Sequence, residues 1–206
     1  TRVVMGMPGD GTLTEQGYVK VYNYNRSTNT LTQFGSTLSA PSPNVNDRFG
    51  RAVSISGNGN VVAGGTYGYG ANDVGIFRVY ELNGSGTDWN NVLSVTGTNG
   101  YDYRGSDISL NYDGTVIVVG VQGKDNSGND KGRVEIFRKG TSSWSSTPTS
   151  VFENYFGNAI DSMGITVDIN GAGDTVVIGY RESDDGTRLN TGKVRVLYYN
   201  GYVWSE

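Results

Sequence analysis

Residues 47–66, DRFGRAVSISGNGNVVAGGT, decide the fold, because the same pattern returns twice more without gaps. The second copy is residues 102–121, DYRGSDISLNYDGTVIVVGV, and the third is residues 161–180, DSMGITVDINGAGDTVVIGY. The copies begin roughly 55 to 60 residues apart, a spacing typical of repeat proteins built from one supersecondary unit. Each copy opens on Asp-x-x-Gly, so the three units align from the first residue.

Each copy reads as a β-hairpin followed by two further strands. Val53 and Ile55 alternate with serines, and alternation predicts a strand with one buried face. A turn of the Asn-Gly type ends at Gly59 and leads into the apolar run 61–63, which predicts a second strand buried on both faces. A third strand opens on a glycine in four places: Gly17, Gly75, Gly132 and Gly192. A weaker fourth strand begins at an apolar anchor: Leu31, Trp89, Trp144 or Trp204.

Four-stranded antiparallel units of this length are typical of β-propeller blades. We therefore predict an all-β chain that forms a β-propeller segment of about four blades. The partial first blade is residues 1–46, and the partial last blade is residues 161–206. Complete blades occupy residues 47–101 and 102–160. We expect more chain on one or both sides, so that the segment is part of a larger ring.

The composition limits the kinds of catalytic site, metal site and partner that this chain can have. The 206 residues include 32 Gly, 14 Tyr and 4 Pro, but no Cys and no His. Disulfides, thiol nucleophiles, Cys/His zinc sites and imidazole bases are therefore excluded. The formal charge of −4 is spread along the chain without a basic block, so we expect no nucleic-acid partner. No apolar run approaches the roughly 20 residues of a membrane-spanning helix, so we expect no membrane insertion by this segment.

The repeated pattern D-x-F-G, S-x-N/D-G, V-V-x-G and G-x-V-x-V resembles the FG-GAP repeat of integrin-alpha-type β-propellers, in its divergent bacterial and algal form. Phe49 and Gly50 match the "FG", and residues 3–8 are similar to the "GAP" end. Arg104 and Met163 replace the phenylalanine in the other two copies. The resemblance implies a propeller, and in this family a nearby loop can bind calcium. The hairpin turns here carry at most one carboxylate each, so we interpret them as plain turns.

The candidate sites are in the loops between the second and third strands, which differ from blade to blade. Tyr67 and Tyr69, with Asp73 in the same loop, predict an aromatic surface for a protein or glycan partner. Acidic and amide side chains in the next two loops predict a calcium site, the one cofactor that the sequence suggests. These metal candidates are Asp125, Asn126, Asn129, Asp130, Glu182, Asp184 and Asp185. The alternative is ordinary solvated loop polarity. The Asp that opens each copy is interpreted as a turn-capping residue, because it recurs in every unit.

The sequence-based prediction of function is a non-catalytic structural or interaction module of a larger assembly, without catalytic residues. We expect such a module to be extracellular, at a cell surface or on a virion surface, and to bind protein or glycan partners through one propeller face. One alternative is a calcium-dependent adhesin or lectin module. Another is a glycan-active hydrolase, which would need two suitably spaced carboxyl groups.

Overall fold

The computed structural model describes residues 1–9, 14–123, 131–153, 162–181 and 191–206. In these ranges the chain forms four antiparallel sheets, one after another along the sequence. The first sheet contains β1 (Arg2–Met7), β2 (Tyr18–Asn25) and β3 (Thr30–Gln33). The second contains β4 (Ala52–Ile55), β5 (Val61–Thr66), β6 (Ile76–Leu82) and β7 (Trp89–Thr96).

The third sheet contains β8 (Arg104–Leu110), β9 (Val116–Val121), β10 (Arg133–Arg138) and β11 (Ser150–Glu153). The fourth contains β12 (Thr166–Ile169), β13 (Thr175–Tyr180), β14 (Lys193–Tyr199) and β15 (Trp204–Ser205). Each sheet is a meander in which neighbouring strands follow one another in sequence. The predicted all-β propeller architecture is confirmed, and we refer to the sheets as the first to fourth blades.

The second strand of each blade lies at the centre of the packing, as its apolar sequence predicts. All six residues of β5 and all six of β9 are buried. Successive side chains of a strand point to opposite faces, so one half of this strand packs on the preceding blade and the other half on the next. The second blade shows both directions, because Val62 packs with the first blade and Ala63 with the third.

Backbone contacts join each blade to the next at the residue before the repeated glycine. Phe49, Arg104 and Met163 form isolated parallel bridges with Gly17, Gly75 and Gly132 of the preceding blade. At Gly75 the φ angle is +77°, and a Cβ atom there would lie 2.2 Å from the carbonyl oxygen of Arg104. Only glycine combines this left-handed conformation with such a close approach of two backbones. The glycine that opens the third strand is therefore required by the seam at Gly17, Gly75 and Gly132.

A buried charged cluster lies at the seam between the second and third blades, where the other two seams have an apolar side chain. Phe49 and Met163 are fully buried in their seams, and Arg104 occupies the equivalent place. Its Nη2 donates a hydrogen bond to Oε1 of Glu135 at 2.8 Å, and its Nη1 donates to the carbonyl oxygen of Thr96. Arg133 also pairs with Glu135. Glu135 lies on the opposite face of β10 from Val134 and Ile136, and that face lies inside the seam with the second blade.

Within the described ranges, no helix is long and apolar enough to cross a membrane. The helical content there consists of one short 3-10 turn at Ala71–Asp73, in the loop between β5 and β6. This turn contains Asp73, which lines the cleft described next.

Candidate functional site: an arginine–tyrosine cleft

Two columns of the repeat meet on one face of the propeller, at the ends of the second strands. The first column is the residue that follows the opening Asp of each copy: Arg48, Tyr103 and Ser162. The second column is the residue that follows each second strand: Tyr67, Gln122 and Arg181. The members of the first column share a left-handed backbone, with φ between 49° and 53°. The repeated turn therefore presents each of these side chains in the same way, although their chemistry differs.

These columns line two adjoining depressions of about 300 and 270 Å³. Tyr67 and Asp73 line both of them, so the two form one cleft that runs from the second blade past the third to Ser162 and Arg181 of the fourth. We call it the arginine–tyrosine cleft. Its side chains are Asn46, Arg48, Arg51, Thr66, Tyr67, Asp73, Tyr103, Gln122, Ser162 and Arg181.

Stacked side chains form the floor of the cleft. The guanidinium carbon of Arg51 lies 4.6 Å from the ring centre of Tyr67. The Tyr67 ring meets the Tyr103 ring edge-on, with 5.7 Å between centroids and 88° between planes. The Tyr101 ring is 6.1 Å further along the same row. A cation over an aromatic face and an edge-to-face ring pair are both attractive arrangements, so the row supports itself without a ligand.

Asp73 is the acidic group of the cleft among the residues that the structure describes. Its backbone N–H donates to the carbonyl oxygen of Gly70, and its carbonyl oxygen accepts from the N–H of Tyr103. Its φ is +53°, a conformation that is uncommon for residues other than glycine and that turns the side chain toward the cleft mouth. No described residue donates a hydrogen bond to its carboxylate, which leaves both oxygens available to water or a ligand.

Positive charge predominates in the cleft. Among the described lining residues, Arg48, Arg51 and Arg181 stand against one carboxylate, that of Asp73. Arg48 is held by Glu15, with Nη2 and Oε2 2.6 Å apart, and both side chains are substantially exposed. Arg51 forms no ion pair within the described part of the chain, so its charge is directed only to the Tyr67 ring and to solvent. The cleft therefore favours a small anionic ligand.

The repeated Asp is structural in the two copies that the structure describes. Asp47 Oδ2 accepts from the N–H of Asn44, and Oδ1 accepts from the N–H of Gly70. Asp102 Oδ2 accepts from the N–H groups of Thr98 and Asn99. Both side chains are 2% exposed. They order the turn that leads into each blade and thus hold Arg48 and Tyr103 in the cleft.

The predicted partner-binding residues divide into two groups. Tyr67 and Asp73 come together in the cleft. Tyr69 lies apart, since its hydroxyl donates to the carbonyl oxygen of Pro41 at 2.8 Å and its ring packs on the core between the first and second blades. The predicted metal residues lie outside the described ranges, namely Asp125, Asn126, Asn129, Asp130, Glu182, Asp184 and Asp185. Among described residues, no group of three or more potential acidic metal ligands occurs.

Sequence reasoning missed Arg48, Arg51, Tyr103, Gln122 and Arg181. A signal was present, because the two columns that form the cleft change residue type between blades, and the first of them directly follows the constant opening Asp. Reading the repeat for its variable columns, instead of its variable loops, would have selected Arg48, Tyr103, Tyr67 and Gln122. The two columns come into contact only when adjacent blades pack, so the sequence alone does not show that they face each other.

No family model matches the chain, and no curated protein sequence matches it. Solved structures do match. Two are each described as a "putative 6-phosphogluconolactonase", one from Bacteroides uniformis with a TM-score of 0.58 at 11% identity, and one from Bacteroides fragilis with 0.59 at 12%. Both alignments cover 97% of this chain. A third match, with a TM-score of 0.52 at 11% identity, is the complex of KlAtg21 with the coiled coil of AgAtg16.

At these identities the likeness shows the fold, which is β-propeller-like. The chain spans about half the length of the structures it matches, with 50% and 48% of the two bacterial chains covered. The comparison shows the fold, but it does not show that the repeats belong to the FG-GAP family.

The prediction of a non-catalytic interaction module, with no enzymatic role, is contradicted by the comparison with the two bacterial structures, each of which is described as a "putative 6-phosphogluconolactonase". The prediction rested on the repeat architecture, the family resemblance, loops that resemble contact surfaces and the absence of His and Cys. None of these excludes catalysis, because hydrolysis of an ester needs only a base for water and a positive group near the carbonyl oxygen. Asp73 and the arginines of the cleft supply both kinds of group.

Proposed function

We propose that the arginine–tyrosine cleft is the active site of a hydrolase that opens a small anionic sugar lactone, such as a phosphorylated aldonolactone. One observation carries this proposal. The Asp73 carboxylate, free of hydrogen bonds from described side chains or backbone, stands in a cleft with three arginines and two tyrosines. The likeness to two structures described as 6-phosphogluconolactonases supports the substrate class.

In this proposal Asp73 is the general base. It takes a proton from a water molecule while the water oxygen attacks the lactone carbonyl carbon. The ring C–O bond then breaks, and the released ring oxygen takes up the proton that Asp73 removed from water, so that the product is an open-chain hydroxy acid and Asp73 is a carboxylate again. A well-placed general base contributes about 10²- to 10⁴-fold to such a step. An arginine near the carbonyl oxygen stabilises the negative charge that develops there.

The remaining cleft residues have binding roles. Tyr67 and Tyr103 offer ring faces and hydroxyl groups to a sugar, which has apolar C–H faces and polar edges. Arg51 and Arg48 are suited to a phosphate or carboxylate, because a guanidinium forms paired hydrogen bonds with such groups. Hydrolysis of a glycosidic bond is less well supported, since that reaction uses two carboxyl groups and the described lining contains only Asp73.

We also propose that the repeat is of the FG-GAP type. The support is the buried Phe49 and the neighbouring Gly50, whose φ of +94° lets its backbone approach Gly6 of the first blade. A location outside the cell or on a surface stays a prediction. So does the binding of calcium by the loops outside the described ranges.

The experiment is a hydrolysis assay on the purified chain with two probes, 6-phosphogluconolactone and unphosphorylated gluconolactone, followed by proton release in a pH-stat. We expect turnover above the spontaneous rate, with preference for the phosphorylated probe. Asp73→Asn should lower kcat by about 10²-fold or more. Arg51→Leu should raise KM for the phosphorylated probe and leave the other nearly unchanged.

A matched control is Asp174→Asn, which makes the same chemical change in the hairpin turn at the start of β13, at the opposite end of the strands. This variant should keep full activity at a temperature where it remains folded. The proposal is wrong if the folded wild-type chain shows no rate above background with either probe. It is equally wrong if Asp73→Asn retains wild-type kcat.

A further inference from the structure

The carboxylate of Asp73 has a counterpart in the preceding blade, at Glu15. Both residues have a left-handed backbone, with φ of +42° for Glu15 and +53° for Asp73. In the seam between the first and second blades, the carbonyl oxygen of Glu15 accepts a hydrogen bond from the N–H of Arg48 at 3.1 Å. In the seam between the second and third blades, the carbonyl oxygen of Asp73 accepts one from the N–H of Tyr103 at 3.2 Å. We call these the first and second seams; each places an acidic residue beside the residue that follows the opening Asp.

Neighbouring backbone contacts confirm that the two acidic positions correspond. Two further hydrogen bonds flank the contact in each seam, at matching positions. Their donor N–H groups and acceptor carbonyl oxygens are Asn46 to Thr14 and Phe49 to Gln16 in the first seam, and Tyr101 to Asn72 and Arg104 to Val74 in the second. Backbone bonds of this kind do not depend on the side chains. The correspondence of Glu15 with Asp73 is therefore a property of the fold.

The side chains at the matching positions have different partners. Arg48 donates from Nε and Nη2 to Oε2 of Glu15, at 2.8 and 2.6 Å. A carboxylate beside a guanidinium keeps its charge more firmly, and is a weaker base, because the opposite charge favours the ionised form. At the position of Arg48 the second seam has the neutral Tyr103, and no described residue donates a hydrogen bond to the carboxylate of Asp73. Acids at equivalent backbone positions are thus ion-paired in the first seam and not in the described part of the second.

We propose that Tyr103 determines which of the two acids acts as a base. This inference rests on the proposed function, in which Asp73 takes a proton from water. A guanidinium at position 103 would hold the Asp73 carboxylate as Arg48 holds Glu15, and would leave it a poor general base. The tyrosine leaves that carboxylate to water and substrate, while its ring packs edge-on against Tyr67. The first seam therefore carries an ion-paired copy of the same arrangement, and the second carries the active one.

The test compares two substitutions of Tyr103 in the hydrolysis assay with 6-phosphogluconolactone. Tyr103→Arg and Tyr103→Gln both remove the ring, but only the first adds a positive charge. The kcat of Tyr103→Arg should be about 10²-fold below that of Tyr103→Gln, as expected for loss of a general base. Its KM should not be higher, because an added positive charge attracts an anionic probe. Tyr103→Lys is a second cationic variant, with the same expected result, in case Tyr103→Arg does not fold.

The matched control is Glu15→Gln, which neutralises the equivalent acid in the first seam. It should lower kcat far less than Asp73→Asn does, because Glu15 is already engaged by Arg48. A loss of kcat as large as that of Asp73→Asn would overturn the inference.

A crystal structure of the Tyr103→Arg chain gives a readout that does not depend on activity. The introduced guanidinium should lie within about 4 Å of the Asp73 carboxylate, the distance that defines an ion pair. A guanidinium directed away from Asp73, or equal kcat values for Tyr103→Arg and Tyr103→Gln, would overturn the inference and leave the proposed function standing. A folded wild-type chain without hydrolysis of either lactone probe would overturn both.

Discussion

The ring of Tyr67, at the end of the second strand of the second blade, meets the ring of Tyr103, at the start of the third blade, edge-on at 5.7 Å. This contact spans a seam between blades. The two residues belong to different columns of the repeat, and the columns come together only when adjacent blades pack. The proposed active site is therefore a product of blade packing, and changes that disturb the seam should disturb the site.

Gly123 tests this connection directly. A Cβ atom at Gly123 would lie 2.4 Å from Cδ2 of Tyr103 and 2.0 Å from the carbonyl oxygen of Tyr101. Gly123→Ala should displace both tyrosines and lower the free energy of unfolding by about 1–3 kcal/mol, as overpacking does. Urea unfolding measures the change. Gly84→Ala is the control, since nothing lies within 4 Å of the added methyl group, and it should change stability by no more than about 0.5 kcal/mol. Equal effects from the two substitutions would contradict the close packing under Tyr103.

The Arg104–Glu135 cluster predicts unequal costs for its members. Glu135 is fully buried and pairs with both Arg104 and Arg133. Glu135→Leu should lower the free energy of unfolding by about 3–5 kcal/mol, because it leaves the buried guanidinium of Arg104 without a carboxylate and leaves Arg133 with only Glu153. Arg104→Met, which restores the residue type found at Met163, should cost clearly less, since Glu135 keeps Arg133. Chemical denaturation of both variants measures the difference.

The exposed pair of Arg48 and Glu15 provides the comparison for that cluster. Arg48→Met should change the free energy of unfolding by no more than about 1 kcal/mol, because solvent screens exposed ion pairs. If Glu135→Leu were as mild as Arg48→Met, the buried cluster would not contribute to the seam as described.

Gly75 predicts a large effect of one added methyl group. Gly75 and Gly86 both have left-handed backbones, with φ of +77° and +71°. Alanine in this conformation costs about 1–2 kcal/mol at either position. Only at Gly75 does the added Cβ also meet the Arg104 backbone, so Gly75→Ala should be more destabilising than Gly86→Ala by several kcal/mol. Thermal unfolding of the two variants isolates the contribution of the backbone contact between Gly75 and Arg104. Similar melting temperatures would show that the Arg104 backbone moves away from the added Cβ at little cost, which would contradict the prediction.

Asp88 predicts a dependence of stability on pH. Its carboxylate accepts hydrogen bonds from the backbone N–H and hydroxyl of Ser36, in the first blade, and from the N–H of Trp89. These bonds, chiefly those from Ser36, hold the pKa of Asp88 below its ordinary value. A carboxyl group whose pKa is lower in the folded state stabilises the fold above the unfolded-state pKa of about 3.9. That stability is lost as the pH falls from this value through the folded-state pKa.

The melting temperature of the wild type should therefore fall more steeply below about pH 4 than that of Asp88→Asn. At pH 7 the variant should already melt below the wild type. Scanning calorimetry from pH 7 to about pH 3 checks both statements. Parallel curves for the two proteins would show that the bond between Asp88 and Ser36 contributes nothing to acid sensitivity.

Much of the fold was predictable from local pattern. Alternation at Val53 and Ile55, the turn ending at Gly59 and the apolar run of β5 each follow from the geometry of a single strand or hairpin. The blade boundaries follow from the repetition of that pattern. The function was not predictable in the same way. The repeat architecture, the family resemblance and the absence of His and Cys favoured a non-catalytic module, but they exclude only particular mechanisms and not catalysis by carboxylate and guanidinium groups.

The sequence by itself determined the strands, the turns and the number of blades, because these depend on residues that are neighbours along the chain. Only the tertiary structure decided which columns face each other. Tyr67 and Tyr103 are far apart in sequence and are brought into contact by a seam, and Glu135 is buried because another blade covers its strand. Val19 and Val194 occupy equivalent positions, yet one is fully buried and the other is 66% exposed. The physical reason is that burial in a propeller depends on the adjacent blade, which local sequence does not encode.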